Sequence, residues 1–220
     1  MYSSACLFMK ISHQHRFIFI HIPKTAGSSV AKALEPFSHH AENLPVNRLL
    51  SAIGINVNWL GPLEWRRGRK HTNLREVQRM LPREVFESYF KFAFVRNPWD
   101  LMVSYYHYIA SRPQHHRSKM VQQLPGFPDY LHYEIKRNKI SQSQFVFDAE
   151  GNQLVDFVGR FESLANDFDQ ICRKVGIEAQ IPHVNKSAHK DFREYYDDET
   201  KALVAQHWAA DIERFGYTFD

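Results

Sequence analysis

The chain has 220 residues, of which 44% are hydrophobic and 24% are charged, and its formal net charge is +4. These values are ordinary for a globular protein with one substantial core, and they exclude a disordered chain. A charge of +4 is too small to indicate nucleic-acid binding by itself. The two cysteines, Cys6 and Cys172, form neither a zinc-ligand spacing nor a disulfide framework. We therefore expect a single domain over residues 1–220.

Hydrophobic patterning and histidine spacing further narrow the class of protein to which the chain can belong. No run approaches the roughly 18 apolar residues of a membrane span, and the first residues lack the apolar core of a signal peptide. The 13 histidines are scattered, and none forms an HxxxH pattern. We expect a soluble, cytoplasmic protein with no membrane span, no metal and no nucleic-acid partner.

A buried strand is predicted at residues 17–22, where the sequence FIFIHI is almost continuously apolar. Pro23 ends it, because proline cannot donate a hydrogen bond to the sheet. A loop of small residues follows over 24–29, and an apolar stripe over 30–34 indicates a helix. Backbone N–H groups at such a helix start, next to Lys24, are suited to phosphate or sulfate.

The loop differs from the ordinary nucleoside-triphosphate loop. In that pattern, GxxxxGK[ST], the lysine follows the second glycine. Here Lys24 precedes Gly27, so the sequence predicts an anion site of another kind. A strand-to-helix turn with a surface lysine is the alternative interpretation.

A basic run lies between the loop and the second predicted strand. Trp65 is followed by Arg66, Arg67, Arg69 and Lys70, and the run ends at His71. Such a run is either a solvated face or a binding surface. A predicted helix then extends from Thr72 to about Leu81.

A second strand-to-helix junction is predicted at residues 90–111. The strand FKFAFV ends at Arg96, Asn97 is a good N-cap, and Pro98 suits the first helical position. Ser104 lies about two turns along this helix. Because ligands of open α/β sheets bind beyond the carboxyl ends of the strands, we expect Lys24 and Arg96 to face one crevice. Alternatively, Arg96 forms a plain ion pair and Ser104 is a surface serine.

The rest of the sequence, from residue 112 onward, predicts mostly helices. We expect a loop over 112–128, a hairpin from residues 145–147 and 154–161 around a turn at 148–152, and three helices, at 129–137, 163–175 and 197–215. The predicted fold class is therefore α/β: three layers, with a central, mostly parallel sheet flanked by helices.

The two junctions together resemble the sulfotransferases that use 3′-phosphoadenosine 5′-phosphosulfate (PAPS). HIPKTAGSS at 21–29 is similar to the family's 5′-phosphosulfate loop, and FAFVRNPWDLMVSYY at 92–106 is similar to its 3′-phosphate segment. The chain looks most like the carbohydrate sulfotransferases of the heparan and chondroitin type and their bacterial relatives. Weaker similarity lies in VGRFE at 158–162, NKS at 185–187 and DIERFGY at 211–217.

The resemblance implies a P-loop-like fold, one sulfotransferase domain over 1–220, and a set of site residues. Lys24 would act on the phosphosulfate bridge, Arg96 and Ser104 would hold the 3′-phosphate, and Lys186 would also bind the nucleotide. The 5′-phosphate and sulfuryl oxygens would be cradled by the rest of the first loop: Thr25, Ala26, Gly27, Ser28 and Ser29. His71 would be the general base, a role that suits a neutral imidazole near pH 7. The family's transfer needs no metal.

The basic run next to His71 is our candidate for the acceptor surface. Arginine binds carboxylate and sulfate bidentately, and an aromatic ring suits a sugar face. We therefore expect Trp65, Arg66, Arg67 and Arg69 to bind an anionic glycan.

Two other function classes stay open from the sequence. One is a P-loop kinase or NTPase, which the missing GxxxxGK[ST] pattern disfavours. The other is an inactive nucleotide- or glycan-binding module, which the presence of both Lys24 and His71 disfavours.

Overall fold

The computed structural model describes residues 9–38, 74–182 and 190–220. The described residues form two compact units, of which the first holds 9–38, 74–94 and 144–182 and the second holds 95–143 and 190–220. The strands are β1 (Lys10–Ser12), β2 (Phe17–Ile20), β3 (Phe90–Val95) and β4 (Phe157–Arg160). The α-helices in the described part of the chain are α1 (Gly27–Ala33), α2 (Leu74–Met80), α3 (Arg83–Ser88), α4 (Pro98–Ala110), α5 (Ser118–Gln122), α6 (Phe127–Arg137), α7 (Ser143–Val146), α8 (Leu164–Val175), α9 (Asp198–His207) and α10 (Ala209–Phe215).

The strands form one sheet in the order β1-β2-β3-β4. β1 pairs antiparallel with β2, whereas β2 pairs parallel with β3, with Phe17 opposite Phe90 and Ile20 opposite Ala93. Parallel neighbours end at the same edge of a sheet, and each of these two strands leads into a helix. The predicted α/β fold, a mostly parallel sheet flanked by helices, is confirmed.

The core of the first unit lies between the sheet and two helices. Every residue of β2 is buried, as expected for a strand that is covered on both faces. The rings of Phe19 and Phe92 lie 5.4 Å apart on neighbouring strands. Helices α1 and α8 cover this surface with the following buried residues: Val30, Ala31, Ala33, Leu34, Leu164, Phe168, Ile171 and Cys172.

The core of the second unit is built from helices and is rich in aromatic rings. Tyr130 is fully buried on α6, and Trp99 on α4 and Trp208 after α9 are 4% and 3% exposed. Both indoles are satisfied, because Trp99 Nε1 donates to the Lys201 carbonyl at 3.1 Å and Trp208 Nε1 donates to the Ile140 carbonyl at 2.8 Å. These buried donors fix how the helices pack against one another within this unit.

Several predicted elements are confirmed with their boundaries. β3 occupies residues 90–95, and α4 begins at Pro98 with Asn97 as its N-cap, whose side chain accepts from the Trp99 N–H at 3.0 Å. α8 ends before Gly176, which is left-handed at φ +70°. These signals are local, which explains why the sequence reveals them.

The predicted hairpin over 145–161 is confirmed at its turn, which an antiparallel bridge closes, but its two strands do not pair along their length. Residues 143–146 form α7, only one bridge joins Phe147 to Gln153, and β4 is the neighbour of β3 instead. The cause is a tertiary contact, because the Asp211 carboxylate accepts the Ser143 N–H at 2.9 Å and so caps the helix.

Three further differences concern element boundaries. The predicted loop over 112–128 contains the short helix α5, and the predicted last helix is two helices, α9 and α10, that separate at Trp208. β1 was not predicted, since three residues are too few for a periodic signal.

Gly159 gives a stability test of the sheet. A Cβ at this position would lie 2.5 Å from Cε1 of Phe94, a fully buried ring. We expect Gly159→Ala to lower the free energy of unfolding by about 1–3 kcal/mol, because the core must shift to admit a methyl group. Urea unfolding measures this loss. Gly126→Ala is the control, since its Cβ would meet nothing closer than 3.6 Å, and equal losses in both variants would contradict the packing.

Candidate functional site

The loop after β2 has a backbone suited to anions. Lys24 and Ala26 are left-handed, with φ of +67° and +62°, whereas Thr25 between them has a negative φ. Consecutive residues of opposite hand turn their N–H groups toward one concavity, a geometry that binds phosphate and related anions. Ala26 caps α1 without a side-chain hydrogen bond. The first candidate region is therefore this loop, with Lys24 half-buried at its start.

The side chains of the loop have different environments. Thr25 is 1% exposed, and its hydroxyl donates to the Ile22 carbonyl at 3.0 Å. That bond closes the loop on the end of the strand. Ser28 is exposed and Ser29 is half-buried. The hydroxyl of Thr25 thus serves the shape of the loop, and the hydroxyls of the two serines lie nearer to solvent.

Gly27 is required by a neighbour and not by its own backbone angles. A Cβ here would lie 1.9 Å from Cδ2 and 2.3 Å from Nε2 of His21. His21 is 3% exposed, and its ring stacks on Phe19 with centroids 6.1 Å apart. The imidazole therefore lies directly beneath the start of α1 and positions the loop.

The second candidate region surrounds Arg96, which follows β3. Arg96 is 5% exposed, and its guanidinium makes two parallel bonds to Asp100: Nε to Oδ2 at 2.7 Å and Nη2 to Oδ1 at 2.8 Å. This bidentate pair fixes the plane of the guanidinium. Asp100 lies in the first turn of α4, where a carboxylate is favoured. Arg96 thus does form an ion pair, as the alternative interpretation held, and the pair orients the cation.

The backbone of Arg96 is held by a side chain. Gln142 accepts from the Arg96 N–H through Oε1 and donates to the Arg96 carbonyl through Nε2, both at 2.8 Å. The Gln142 N–H in turn donates to Asp211 at 2.7 Å. Gln142 and Asp211 are 1% and 2% exposed. This buried chain of bonds fixes the position at which Arg96 leaves the strand.

Ser104 lies on the same helix stripe as Asp100, because residues four apart share a face. Ser104 is 3% exposed, so it is not a surface serine. Asn97, next to Arg96, donates through Nδ2 to the Thr218 carbonyl at 2.8 Å. The second region therefore combines a fixed arginine with a buried hydroxyl.

The other predicted site residues lie outside the described residues. They are Trp65, Arg66, Arg67, Arg69, His71 and Lys186. Within residues 9–38, 74–182 and 190–220, no group of three or more His, Cys, Asp or Glu side chains could hold a metal ion. In the same ranges no helix is both long and apolar enough to cross a bilayer.

A groove of about 620 Å³ lies in the first unit, and among the described residues none of the predicted site residues lines it. Its lining includes Glu87, Phe90, Asp156 and Phe157. Phe90 and Phe157 begin β3 and β4, whereas ligands of α/β sheets bind at the carboxyl ends of strands. We therefore assign no catalytic role to the groove.

Comparison with known proteins identifies the family. The model of the Sulfotransferase family matches residues 8–218. The chain belongs to the sulfotransferase family. This sulfotransferase resembles a crystal structure of the mouse sulfotransferase SULT7A1 complexed with PAP, with a TM-score of 0.52 and 13% identity, covering 92% of this chain and 85% of that one. A relative described as an uncharacterized protein, from Archaeoglobus fulgidus, is 24% identical over 126 residues, which are 53% of this chain and 93% of the relative.

Sequence reasoning missed four residues that position the site. Asp100 carried a usable signal, since it stands four residues after Arg96. His21 and Asp211 lie inside the quoted motifs HIPKTAGSS and DIERFGY, but no pattern gave either of them a partner. Gln142 had no signal, because its partners are 46 and 69 residues away.

The contact of Gly27 with His21 gives a second stability test. We expect Gly27→Ala to cost about 1–3 kcal/mol of unfolding free energy, since the new methyl group displaces a buried ring. His21→Ala removes that ring, so the double variant should cost less than the sum of the two single variants by about 1–3 kcal/mol.

Urea unfolding of the four proteins in this cycle measures the coupling. The control is the same cycle with His132, an exposed histidine of the second unit, where the two effects should add. An additive result for His21 and Gly27 would show that the contact does not constrain the loop.

Proposed function

We propose that this enzyme moves a sulfuryl group from PAPS to a hydroxyl of a carbohydrate acceptor. The observation that carries the proposal is the family match over residues 8–218, which includes both motifs. It also supports one sulfotransferase domain over the chain. The mouse sulfotransferase of similar fold is complexed with PAP, and PAP is what PAPS becomes after transfer.

The loop Lys24 to Ser29 is the proposed site of the 5′-phosphosulfate. Its alternating backbone hand supports this role, because the N–H groups of such a loop converge on anionic oxygens. The loop is held before any ligand arrives, by the Thr25 hydroxyl on the Ile22 carbonyl and by the His21 ring against Gly27. A site fixed in this way does not need to reorganise when charge develops in the transition state.

Arg96 and Ser104 are the proposed site of the 3′-phosphate. A planar guanidinium binds phosphate bidentately, and the Asp100 carboxylate holds that plane in one orientation. Lys186 is a further proposed nucleotide ligand, which rests on the resemblance of NKS at 185–187 alone.

In the proposed sulfuryl transfer, the site residues have distinct roles. The acceptor hydroxyl oxygen bonds to sulfur while the bond from sulfur to the 5′-phosphate oxygen breaks. His71 takes the hydroxyl proton, and Lys24 stabilises the negative charge on the departing phosphate oxygen. The products are a sulfate ester and PAP. Trp65, Arg66, Arg67 and Arg69 are proposed to bind an anionic glycan next to His71, from the sequence of the basic run.

Arg96 provides a test of nucleotide binding. We expect Arg96→Ala to weaken PAP binding by about 2–4 kcal/mol, the cost of losing a charge-assisted contact to phosphate. Binding of adenosine 5′-phosphosulfate, which lacks the 3′-phosphate, should barely change. Calorimetric titration of both nucleotides, with ATP and GTP alongside, makes the comparison. An equal loss for both adenosine nucleotides would refute the assignment, and tighter binding of ATP or GTP than of PAP would favour a kinase or NTPase.

Lys24 provides a test of catalysis. Transfer of labelled sulfate from PAPS should be screened over glycans, phenols and tyrosyl peptides. With the best acceptor, we expect Lys24→Ala to lower kcat by about 10²–10³, the effect of one lost preorganised electrostatic contact. Alanine tolerates a left-handed backbone about as well as lysine, so the loop itself is little changed.

Lys32→Ala is the matched control, because Lys32 is exposed on the neighbouring helix α1. His71→Ala should abolish turnover while PAP still binds. A Lys24→Ala enzyme with normal kcat would exclude Lys24 from the mechanism, and a wild-type protein that binds PAP without any transfer would indicate a binding module.

A further inference from the structure

Residues 211–218, which we call the 211–218 segment, supply partners for the turn that carries Arg96. Helix α10 ends before Gly216, which is left-handed at φ +61°, and the chain turns back there. Beyond this turn the carbonyl of Thr218 accepts from Nδ2 of Asn97 at 2.8 Å. Asn97 is 8% exposed, so this bond is made inside the second unit. The segment is thus bonded to the residue that follows Arg96.

Asn97 uses both ends of its side-chain amide. Its Oδ1 accepts from the Trp99 N–H at 3.0 Å and so caps α4, while its Nδ2 is bonded to the 211–218 segment. Asp100, whose carboxylate orients the Arg96 guanidinium, lies in the first turn of that helix. The segment is therefore bonded to the residue from which this helix starts, and its position bears on the carboxylate that orients the arginine.

The Asp211 carboxylate holds the same segment through a second set of bonds. It is 2% exposed, and it accepts from the Gln142 N–H at 2.7 Å, from the Ser143 N–H at 2.9 Å and from the Ser143 hydroxyl. A buried carboxylate is costly unless its oxygens are hydrogen-bonded, and its removal would leave two backbone donors unpaired. Gln142 in turn bonds to both backbone groups of Arg96. The segment thus reaches the arginine by two routes.

Arg96 is sensitive to this support because its guanidinium lies at the end of a long side chain. A small rotation of the peptide group is magnified at that end, whereas a bidentate contact needs its groups within about 0.5 Å of the productive geometry. Ser104, the other proposed ligand of the 3′-phosphate, is fixed in the body of α4 and 3% exposed. The backbone at Arg96 must therefore be held still if both residues are to meet one phosphate.

We propose that the 211–218 segment is a positioning element of the 3′-phosphate site, and that its docking is coupled to nucleotide binding. This inference rests on the proposed function, which assigns the 3′-phosphate to Arg96 and Ser104. Coupling between two equilibria is reciprocal. PAP carries the 3′-phosphate and so stabilises the docked segment, whereas adenosine 5′-phosphosulfate lacks that phosphate and does not. The docked segment thereby favours nucleotides that carry a 3′-phosphate.

Hydrogen–deuterium exchange of the wild-type protein tests the coupling without a substitution. The N–H groups of Gln142, Ser143 and Tyr217 report it, because the first two donate to Asp211 and the third donates to the Ile212 carbonyl at the turn after α10. At saturation we expect PAP to slow their exchange about 5- to 30-fold, a usual size for coupling between two sites, and adenosine 5′-phosphosulfate to leave it unchanged. Peptides of α6 should exchange equally with either nucleotide.

Asp211→Asn and Gln142→Met test the same chain of bonds by substitution. An asparagine cannot accept at both of its side-chain ends, and a methionine has nearly the volume of glutamine but forms neither bond to Arg96. In calorimetric titration each variant should bind PAP about 5- to 30-fold more weakly and adenosine 5′-phosphosulfate as the wild type does. Because both substitutions break one chain, the double variant should lie within about twofold of the weaker single variant.

Val121→Ala is the matched control, because Val121 is 1% exposed in the same unit, on α5, and has no part in these bonds. It lowers stability but should keep the wild-type ratio of the two nucleotide affinities. Equal loss of both nucleotides in Asp211→Asn would overturn the proposal, and so would equal protection by both in the exchange measurement, which decides the matter if that variant does not fold. Failure of the proposed function looks different, since the wild type would then bind PAP no more tightly than adenosine 5′-phosphosulfate.

Discussion

Where strand β3 ends, a side chain provides the hydrogen bonds that the backbone of Arg96 needs. A peptide group that leaves a buried sheet still needs a donor and an acceptor, and an unpaired one costs about as much as a lost hydrogen bond. The amide of Gln142 supplies both partners, and Asp211 fixes that amide. The position of Arg96 therefore depends on two buried residues that carry no positive charge themselves.

The loop after β2 is also held in place by buried side chains, although its backbone differs from that at Arg96. Here the backbone is strained, since Lys24 and Ala26 are left-handed without being glycine. The buried His21 ring beneath Gly27 and the Thr25 hydroxyl on the Ile22 carbonyl stabilise that shape. In both regions the residues proposed to meet the ligand are held in place by buried contacts within the protein, which is the arrangement that preorganised sites require.

The features that nearby residues determine were predicted from the sequence, whereas those that depend on contacts between residues far apart in the chain were missed. Both strand-to-helix junctions were predicted, because apolar runs, Pro98 and the Asn97 cap act within a few residues. Residues 145–146 of α7 were predicted as part of a strand, since the cap of that helix comes from Asp211, far along the chain. Arg96 was predicted as a site residue from its place after a strand. The role of Gln142 arises only from its contacts in the folded protein, and no sequence pattern indicates it.

The contacts around Arg96 also bear on the order in which the protein is made. Asn97 bonds to the carbonyl of Thr218, 121 residues later, and Gln142 awaits Asp211. At usual rates of synthesis, roughly 6 to 25 s separate Asn97 from Thr218 and roughly 3 to 14 s separate Gln142 from Asp211. In the first unit, by contrast, the strand β2, His21 and the loop that follows are made together. The strand-to-loop segment of the first unit is thus synthesised as one piece, while the arginine that follows β3 gains its final neighbours only after Asp211 and Thr218 have been synthesised.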